Sequence, residues 1–425
     1  MPKLKFSALF IAIFTTFSLF AQEEWNFLLN YEKLTTVEVE ELQERWKKNH
    51  VPELMIPINY TVEGYNVQYR TKWHDGTEIM ASGVYWVPKD IDVKIPLMVY
   101  NHGTVVRPDR NLGFNGEENI CIGFATDGYG VLFPDYIGLG QGDSTHLYQH
   151  ADSEAQAGVD MLRAIRELNK ELDLVWNQEL YITGYSQGGH STLALHRKLQ
   201  QEYSTEFKVT ASSPMSGAYD MAGAQSVVMF QPYTQPFYLP YLLKSYNEIY
   251  DIFPEDEFLD IYNEPYDSLI PLYFEGNHGI GDINAMMPEI PADVIKEDFV
   301  NEFKSNPEFP FLVHLKENEV YDWKPEAPVQ FCYCESDEEV FYQNTLVAYD
   351  KMKENGAEDI VKRMVGKNQT HGQCAIFTSM QTKFFFDSIR AGDENGNKGP
   401  IFKRLLLSLA KTQVNNKPDK KKKKK

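Results

Sequence analysis

The sequence predicts an α/β fold with a mostly parallel central sheet, helices on both faces of that sheet and an inserted, mostly helical cap. Three observations predict it. Short apolar runs alternate with segments of helical periodicity, as in parallel β-α-β units. A Gly-x-Ser-x-Gly pentapeptide at 184–188 lies between a predicted strand and a predicted helix. From about 220 to 323 this alternation gives way to a stretch rich in Phe, Tyr and Pro.

The individual elements follow from local pattern. Helical periodicity predicts a first helix over 38–48, and alternation over 60–87 with a turn at 74–76 predicts an antiparallel hairpin. Short runs with a strand-like composition follow at 95–100, 129–134, 179–183, 208–211, 328–334 and 359–365. Helices are predicted at 155–172, 188–200 and 339–355, and a last amphipathic helix follows the final strand. Strands that alternate with helices indicate right-handed parallel crossovers.

The length of 425 residues suits a large α/β domain that carries an insertion. Thirteen of the 45 residues from 230 to 274 are Phe or Tyr, which predicts a cap whose aromatic side chains pack on the core, with a minority lining an apolar pocket. The predicted organisation is a signal peptide (1–21), a core in two parts (22–219 and 324–412), a cap (220–323) and a disordered Lys-rich tail (413–425).

The net charge and the N-terminal sequence limit the class of function. The net charge of −20 argues against a nucleic-acid partner, which would require a basic face. Lys3 and Lys5 precede an apolar run over 9–20, and Ala21 offers a cleavage point. This pattern is typical of a secretory signal peptide, and the run is too short for a comfortable membrane span. We therefore expect export to the periplasm or the medium, with no integral membrane span after cleavage.

Four cysteines raise the question of a disulfide. Cys332 and Cys334 lie two apart on a predicted strand, so they share a face and cannot easily bridge each other. A disulfide between Cys334 and Cys374 and buried free thiols are both compatible with the sequence. No metal-ligand spacing is present, so no metal or other cofactor is expected.

Ser186 is the candidate nucleophile. The strand before it and the helix after it would place its hydroxyl on a sharp turn, beside the positive end of the helix dipole. A serine hydroxyl needs a histidine as base and a carboxylate that orients the histidine. Asp337 follows the strand 328–334, and His371 is expected in a loop after the strand 359–365. The chain order Ser186, Asp337, His371 matches the order expected for a Gly-x-Ser-x-Gly nucleophile on such a sheet.

Other residues compete for these roles less well. His190 and His196 lie on the predicted helix after Ser186 and cannot curl back onto it, whereas Glu335 and Glu338 flank Asp337. The oxyanion formed during acyl transfer needs two backbone donors. We expect the N–H of Gln187, directly after the nucleophile, and the N–H of Thr104, in the loop after the first parallel strand.

Four segments carry a resemblance to a known family: 100–104, 134–140, 146–150 and 184–190. They resemble the secretory lipase and esterase branch of the α/β-hydrolase superfamily. The resemblance implies hydrolysis of carboxylic esters through an acyl-enzyme, with a helical lid over the site. It also implies that the Pro-Asp-Tyr segment at 134–136 supports the sheet edge beside the site. We therefore expect Asp135, Tyr136 and His150 to be structural neighbours of the pocket, because such side chains more often satisfy buried hydrogen bonds than contact substrate.

Three hypotheses about function remain open at this point. The first is an exported serine hydrolase that cleaves small-molecule esters. Since the acidic cap should disfavour anions, neutral esters with short-to-medium acyl groups are expected. The second is an exported peptidase or amidase of the same fold. The third is a non-catalytic binding protein on a hydrolase scaffold, although all three triad positions are filled.

Overall fold

The computed structural model describes residues 26–48, 51, 53, 56–108 and 116–392. The expected signal peptide and Lys-rich tail lie outside these ranges. The strands are β1 (Leu28–Val37), β2 (Val62–Lys72), β3 (Glu78–Pro88), β4 (Ile95–Asn101), β5 (Gly130–Pro134), β6 (Trp176–Tyr185), β7 (Ala211–Met215), β8 (Val329–Cys334) and β9 (Ile360–Gly366).

The described chain contains eleven α-helices. They are α1 (Val39–Lys48), α2 (Glu117–Ala125), α3 (Ala151–Glu171), α4 (Gln187–Glu202), α5 (Tyr238–Tyr250), α6 (Tyr266–Tyr273), α7 (Ile280–Met286), α8 (Glu297–Ser305), α9 (Pro310–Glu317), α10 (Gln343–Glu354) and α11 (His371–Arg390). Within the described residues, none of these helices is long and apolar enough to cross a membrane.

One nine-stranded sheet organises the molecule, in the order β1-β2-β3-β5-β4-β6-β7-β8-β9. The first three pairings, β1 with β2, β2 with β3 and β3 with β5, are antiparallel. From β5 onwards every neighbouring pair is parallel. The predicted α/β fold with a mostly parallel sheet is confirmed.

Two apolar cores, one on each face of the sheet, hold the helices in place. Side chains of α3, α4 and α10 are buried in the core on one face, and side chains of α1, α2 and α11 are buried in the core on the other. Because both faces are covered, β4 and β5 are buried along their whole length. This explains why these two strands read as continuous apolar runs and not as alternating ones.

Residues 220–323, called the cap segment below, lie between β7 and β8 and contain α5 to α9. The segment has an apolar core of its own, in which Phe237, Tyr246 and Phe311 are fully buried. Tyr148 and Val340 from the flanking sheet connections join that core. The segment is therefore packed directly against the end of the sheet where β6 and β8 finish.

The structure corrects the sequence-based elements in three places. The strand expected at 208–211 is β7 at Ala211–Met215, and both β1 and α2 were missed. The sequence of β7, Ala-Ser-Ser-Pro-Met, lacks β-branched residues and contains a proline, so it carries no strand signal. Its buried hydroxyls are satisfied across the fold: Ser213 Oγ donates to the Gln330 carbonyl (3.0 Å), and Ser212 Oγ lies 2.9 Å from His196 Nδ1. β1 pairs with β2 only, and Val37 is the one fully buried residue among its ten, which weakens its pattern.

Candidate active site

Ser186 lies on the sharp turn between β6 and α4. Its backbone has φ 60° and ψ −121°, a conformation that a non-glycine residue adopts only when the surrounding structure imposes it. The Ser186 N–H donates to the Met215 carbonyl at 3.0 Å, which ties the turn to β7. A Cβ on Gly188 would collide with the backbone of Asn101, so the turn requires glycine there. The side chain is only 6% exposed.

Asp337 and His371 form a buried pair. His371 Nδ1 lies 2.8 Å from Asp337 Oδ1 and 2.9 Å from Oδ2, so the carboxylate accepts the Nδ1 proton. Asp337 Oδ1 also accepts the backbone N–H groups of Glu339 (3.1 Å) and Val340 (2.9 Å). These bonds fix the carboxylate, and the ring nitrogen Nε2 is left as the one that can accept a proton.

His371 does not lie in a loop, as expected from the sequence, but is the first residue of α11. The missed helix start is a capping box, in which Thr370 and Gln373 satisfy each other's backbone N–H groups. The His371 N–H donates to Glu338 Oε2 (2.9 Å), and Tyr185 Oη donates to the His371 carbonyl (2.6 Å). The Tyr185 and His371 rings lie 4.7 Å apart. Since Tyr185 directly precedes Ser186, this contact brings His371 beside the turn that carries Ser186.

Charge around the imidazole favours its protonated form. Burial alone would lower the pKa of His371, but the hydrogen bond and charge of Asp337 and the charges of Glu339 and Glu338 outweigh it. The pKa of His371 is therefore raised above its usual 6.5. Such a group is a stronger proton acceptor during a reaction and must be neutral before the reaction begins.

The loop after β4 carries the Thr104 amide. The preceding Gly103 N–H is already taken, because it donates to Glu117 Oε2 at 2.9 Å, while Tyr100 Oη donates to Glu117 Oε1 at 3.0 Å. Among the hydrogen bonds of the described residues, the N–H groups of Thr104 and Gln187 have no acceptor. Burial raises the pKa of Glu117 to about 7, against the lowering effects of the Gly103 and Tyr100 hydrogen bonds.

A buried polar network fixes the side chain of Gln187. Its Nε2 donates to Glu154 Oε1 at 2.6 Å and lies 2.9 Å from His146 Nε2. The other oxygen of Glu154 accepts from Ser191 and lies 3.3 Å from His190 Nδ1. Burial lowers the pKa of His146 to about 4, so that ring is neutral at pH 7. The network holds the start of α4 rigidly beneath Ser186.

A small apolar cavity of about 80 Å³ opens beside Ser186. Its walls come from the cap segment and from the connections that precede α3 and α10. They are lined by Tyr148, Met221, Val228, Met229, Tyr238, Leu239, Leu242, Leu315 and Val340, among others. The sequence placed an apolar pocket in this segment but could not say which of its side chains line it.

The residues expected to support the pocket are held in buried contacts. Asp135 Oδ2 accepts from Ser82 Oγ (2.6 Å), and Tyr136 Oη donates to the His102 carbonyl (3.0 Å). His150 caps α3, with Nδ1 accepting the Ser153 N–H at 3.4 Å. Sequence reasoning missed Glu117, Glu154, Tyr185 and Glu339. No local motif marks the three glutamates, and the pentapeptide around Ser186 contains Tyr185 without showing that it contacts His371.

Cys334 and Cys374 form a disulfide, which settles the alternative that the sequence left open. The bridge joins the end of β8, three residues before Asp337, to the first turn of α11, which His371 opens. Cys121 and Cys332 are buried and take no part in the disulfide. In the ranges that the structure describes, no group of three or more His, Cys, Asp or Glu side chains could hold a metal ion.

The fold is that of the α/β-hydrolases. Residues 115–224 match the family model for secretory lipases. A candidate hydrolase from Legionella pneumophila is 27% identical, with 86% of this chain and 98% of that chain covered and a TM-score of 0.78. The rice cell wall degrading esterase LipA from Xanthomonas oryzae is 23% identical over 86% of this chain and 97% of that chain, with a TM-score of 0.75.

Lipase A from Candida antarctica, in its closed state, has a TM-score of 0.66 at 16% identity, with 88% of this chain and 84% of that chain covered. No curated protein matched the sequence. The resemblance to secretory lipases and esterases expected from the motifs is confirmed. The chain is similar to hydrolases of the lipase and esterase type.

Proposed function

We propose that the protein is an exported serine esterase in which Ser186, His371 and Asp337 form the catalytic triad. The observation that carries the proposal is the buried pair of His371 and Asp337, 2.8 Å apart and packed against the residue before Ser186. This pair leaves Nε2 as the base, because Asp337 holds the proton on Nδ1. The buried disulfide and the match to a secretory lipase model support export to an oxidising compartment.

The mechanism runs in two half-reactions. Ser186 Oγ attacks the ester carbonyl carbon while His371 Nε2 removes the hydroxyl proton, and the carbonyl electrons move onto oxygen. The N–H groups of Thr104 and Gln187 stabilise that oxyanion. Its collapse breaks the C–O bond, and the Nε2 proton passes to the leaving alcohol. Water then attacks the acyl-enzyme by the same steps, releases the acid and restores Ser186.

We assign the small apolar cavity beside Ser186 to the acyl group. Its lining of Met, Val and Leu side chains suits a hydrocarbon chain, and its volume of about 80 Å³ limits the length of that chain. The acidic side chains around His371 disfavour an anionic substrate. Neutral or cationic esters with short-to-medium acyl groups follow from these two features.

A p-nitrophenyl ester series from acetate to palmitate tests this proposal. We expect kcat/KM to peak at acyl chains of about two to eight carbons, since a longer chain cannot be buried in the cavity. A matched anilide of the best acyl group should be cleaved far more slowly. A peak at palmitate would contradict the assignment of the cavity, and faster cleavage of the anilide would favour the peptidase or amidase alternative.

Glu117 is expected to position the Thr104 amide without contacting substrate. Replacing Glu117 with alanine frees the Gly103 N–H and loosens the loop, so we expect kcat to fall by about 10- to 100-fold with little change in KM. Glu117→Gln keeps an acceptor for Gly103 and should restore most of the activity. Equal losses in both variants would show that the loop does not depend on this hydrogen bond.

Wild type and Glu117→Gln together also test the raised pKa of Glu117. The Glu117 carboxyl has a pKa of about 7 in the folded protein and about 4.5 when exposed, so it binds its proton more tightly in the folded state. Its contribution to the free energy of unfolding is therefore largest below about pH 4.5. That contribution is lost as pH rises through about 7. Glu117→Gln lacks it, so the wild-type free energy of unfolding should fall relative to that of the variant between about pH 4.5 and pH 7. Denaturant titrations at several pH values measure the difference.

A further inference from the structure

A second carboxylate lies on the reactive side of His371. Glu339 Oε2 is 3.9 Å from His371 Nε2, the nitrogen opposite to the one held by Asp337. In the proposed function the leaving alcohol oxygen must come within about 3 Å of Nε2 to receive its proton. The Glu339 carboxylate therefore lies next to the place that the alcohol part of the substrate would occupy.

The cap segment holds this carboxylate in place. Gln235 Nε2 donates to Oε1 at 2.9 Å, and Tyr238 Oη donates to Oε2 at 3.2 Å. The Glu339 backbone carbonyl accepts from Tyr233 Oη at 2.6 Å and Gln225 Nε2 at 2.9 Å. The side chain is only 15% exposed. Since a carboxylate offers about four acceptor positions, two side-chain bonds leave room for another donor.

The carboxylate lacks a cationic partner apart from the base itself. Within the part of the chain that the structure describes, His371 is the only basic side chain within 4.0 Å of Glu339. Asp337 and Glu338 also contact His371, so three consecutive acids surround one imidazole. A mostly buried carboxylate without a Lys or Arg partner is unfavourable unless a positive group reaches it. In the proposed function, the leaving group lies close enough to this carboxylate to supply that positive group.

Aromatic faces complete the surroundings of this position. The Tyr238 ring, whose hydroxyl holds Glu339, stacks on Tyr148 with ring centroids 6.0 Å apart. Both side chains also line the cavity at Ser186. Tyrosine faces attract ammonium groups, so the carboxylate and the rings favour the same kind of ligand.

We propose that Glu339 is a specificity-determining residue that selects esters whose alcohol part carries an ammonium group. The proposal rests on the proposed serine esterase function and names the class of alcohol that the site prefers. The ammonium group would lie beside the Glu339 carboxylate, within reach of the Tyr238 ring, with the ester oxygen at His371 Nε2. No cofactor or second reactant is involved, because the group only binds.

A matched pair of esters tests the proposal: butyrylcholine and its uncharged carbon isostere, 3,3-dimethylbutyl butyrate. We expect wild type to prefer the cationic ester by about tenfold or more in kcat/KM, because a buried carboxylate attracts a nearby charge strongly. Glu339→Gln should bring the ratio of the two kcat/KM values close to one. Glu335→Gln provides the control, because Glu335 is an exposed carboxylate four residues before Glu339 in the chain. This variant loses the same charge and should keep the wild-type ratio of the two kcat/KM values.

The ratio of the two kcat/KM values distinguishes a role of Glu339 in substrate selection from a purely structural role. If Glu339 only fastens the cap segment, Glu339→Gln will slow both esters by the same factor, and the proposal is wrong. A wild-type ratio near one would overturn it as well. Should Glu339→Gln fail to fold, inhibition of wild type decides: choline must inhibit more strongly than 3,3-dimethylbutanol. Cleavage that persists in Ser186→Ala, or no cleavage of any ester, would instead contradict the proposed esterase and this inference with it.

Discussion

Replacing Ser186 with alanine is expected to lower kcat for ester hydrolysis by about 10⁴-fold or more, since the hydroxyl oxygen forms the acyl-enzyme and no other group can replace it. The backbone bond from the Ser186 N–H to Met215 does not involve the side chain, so the fold should persist. The measurement is kcat on the best p-nitrophenyl ester, together with thermal unfolding.

Ser226→Ala provides the matched control. Ser226 also lines the cavity, but its hydroxyl donates only to the backbone carbonyls of Ala222 and Gly223. We expect this variant to keep nearly all of the activity and to react with a fluorophosphonate probe, whereas Ser186→Ala should not react. Retention of more than about one hundredth of wild-type kcat in Ser186→Ala would exclude Ser186 as the nucleophile.

Replacing Asp337 with asparagine is expected to have the second largest effect, a loss of about 10⁴-fold in kcat. The asparagine oxygen can still accept the N–H groups of Glu339 and Val340, so its NH₂ group would face His371 Nδ1. Nδ1 would then be the acceptor and the ring proton would move to Nε2. A ring protonated on Nε2 cannot take the proton of Ser186.

The pH profile distinguishes this tautomer effect from simple loss of structure. The charge of Asp337 helps to raise the pKa of His371 above 6.5, so its removal should lower the apparent pKa on the acid limb of kcat/KM. Wild type should gain activity as pH rises through the raised pKa, where His371 becomes neutral. An Asp337→Asn variant with wild-type kcat and an unchanged acid limb would show that another carboxylate orients His371.

The fold and the proposed triad were largely predictable because each depends on short-range signals. β4 and β5 are buried on both faces, and their continuous apolar sequence predicts this kind of strand directly. The Ser186 pentapeptide combines a strand, a tight turn and a helix within a few residues. The order of the acid and the base then followed from the positions of two later strands.

The remaining features depend on contacts between distant segments. The Glu117 carboxylate lies 14 residues from its partner Gly103, and Glu339 lies 101 residues from Tyr238. No local pattern encodes such pairs. β7 was placed three residues too early because its stability comes from buried serine hydroxyls and not from β-branched side chains. The helix start at His371 was missed because its capping box was not recognised in the sequence.

The disulfide between Cys334 and Cys374 has a topological consequence. It closes a covalent ring that contains Asp337, Glu339, α10, β9 and His371, and so includes both residues proposed to act with Ser186. The turn between α10 and β9, with Glu358 and Asp359 exposed, lies inside this ring. A single protease cut in that turn would divide the chain between acid and base, yet the bridge would keep both halves in one molecule.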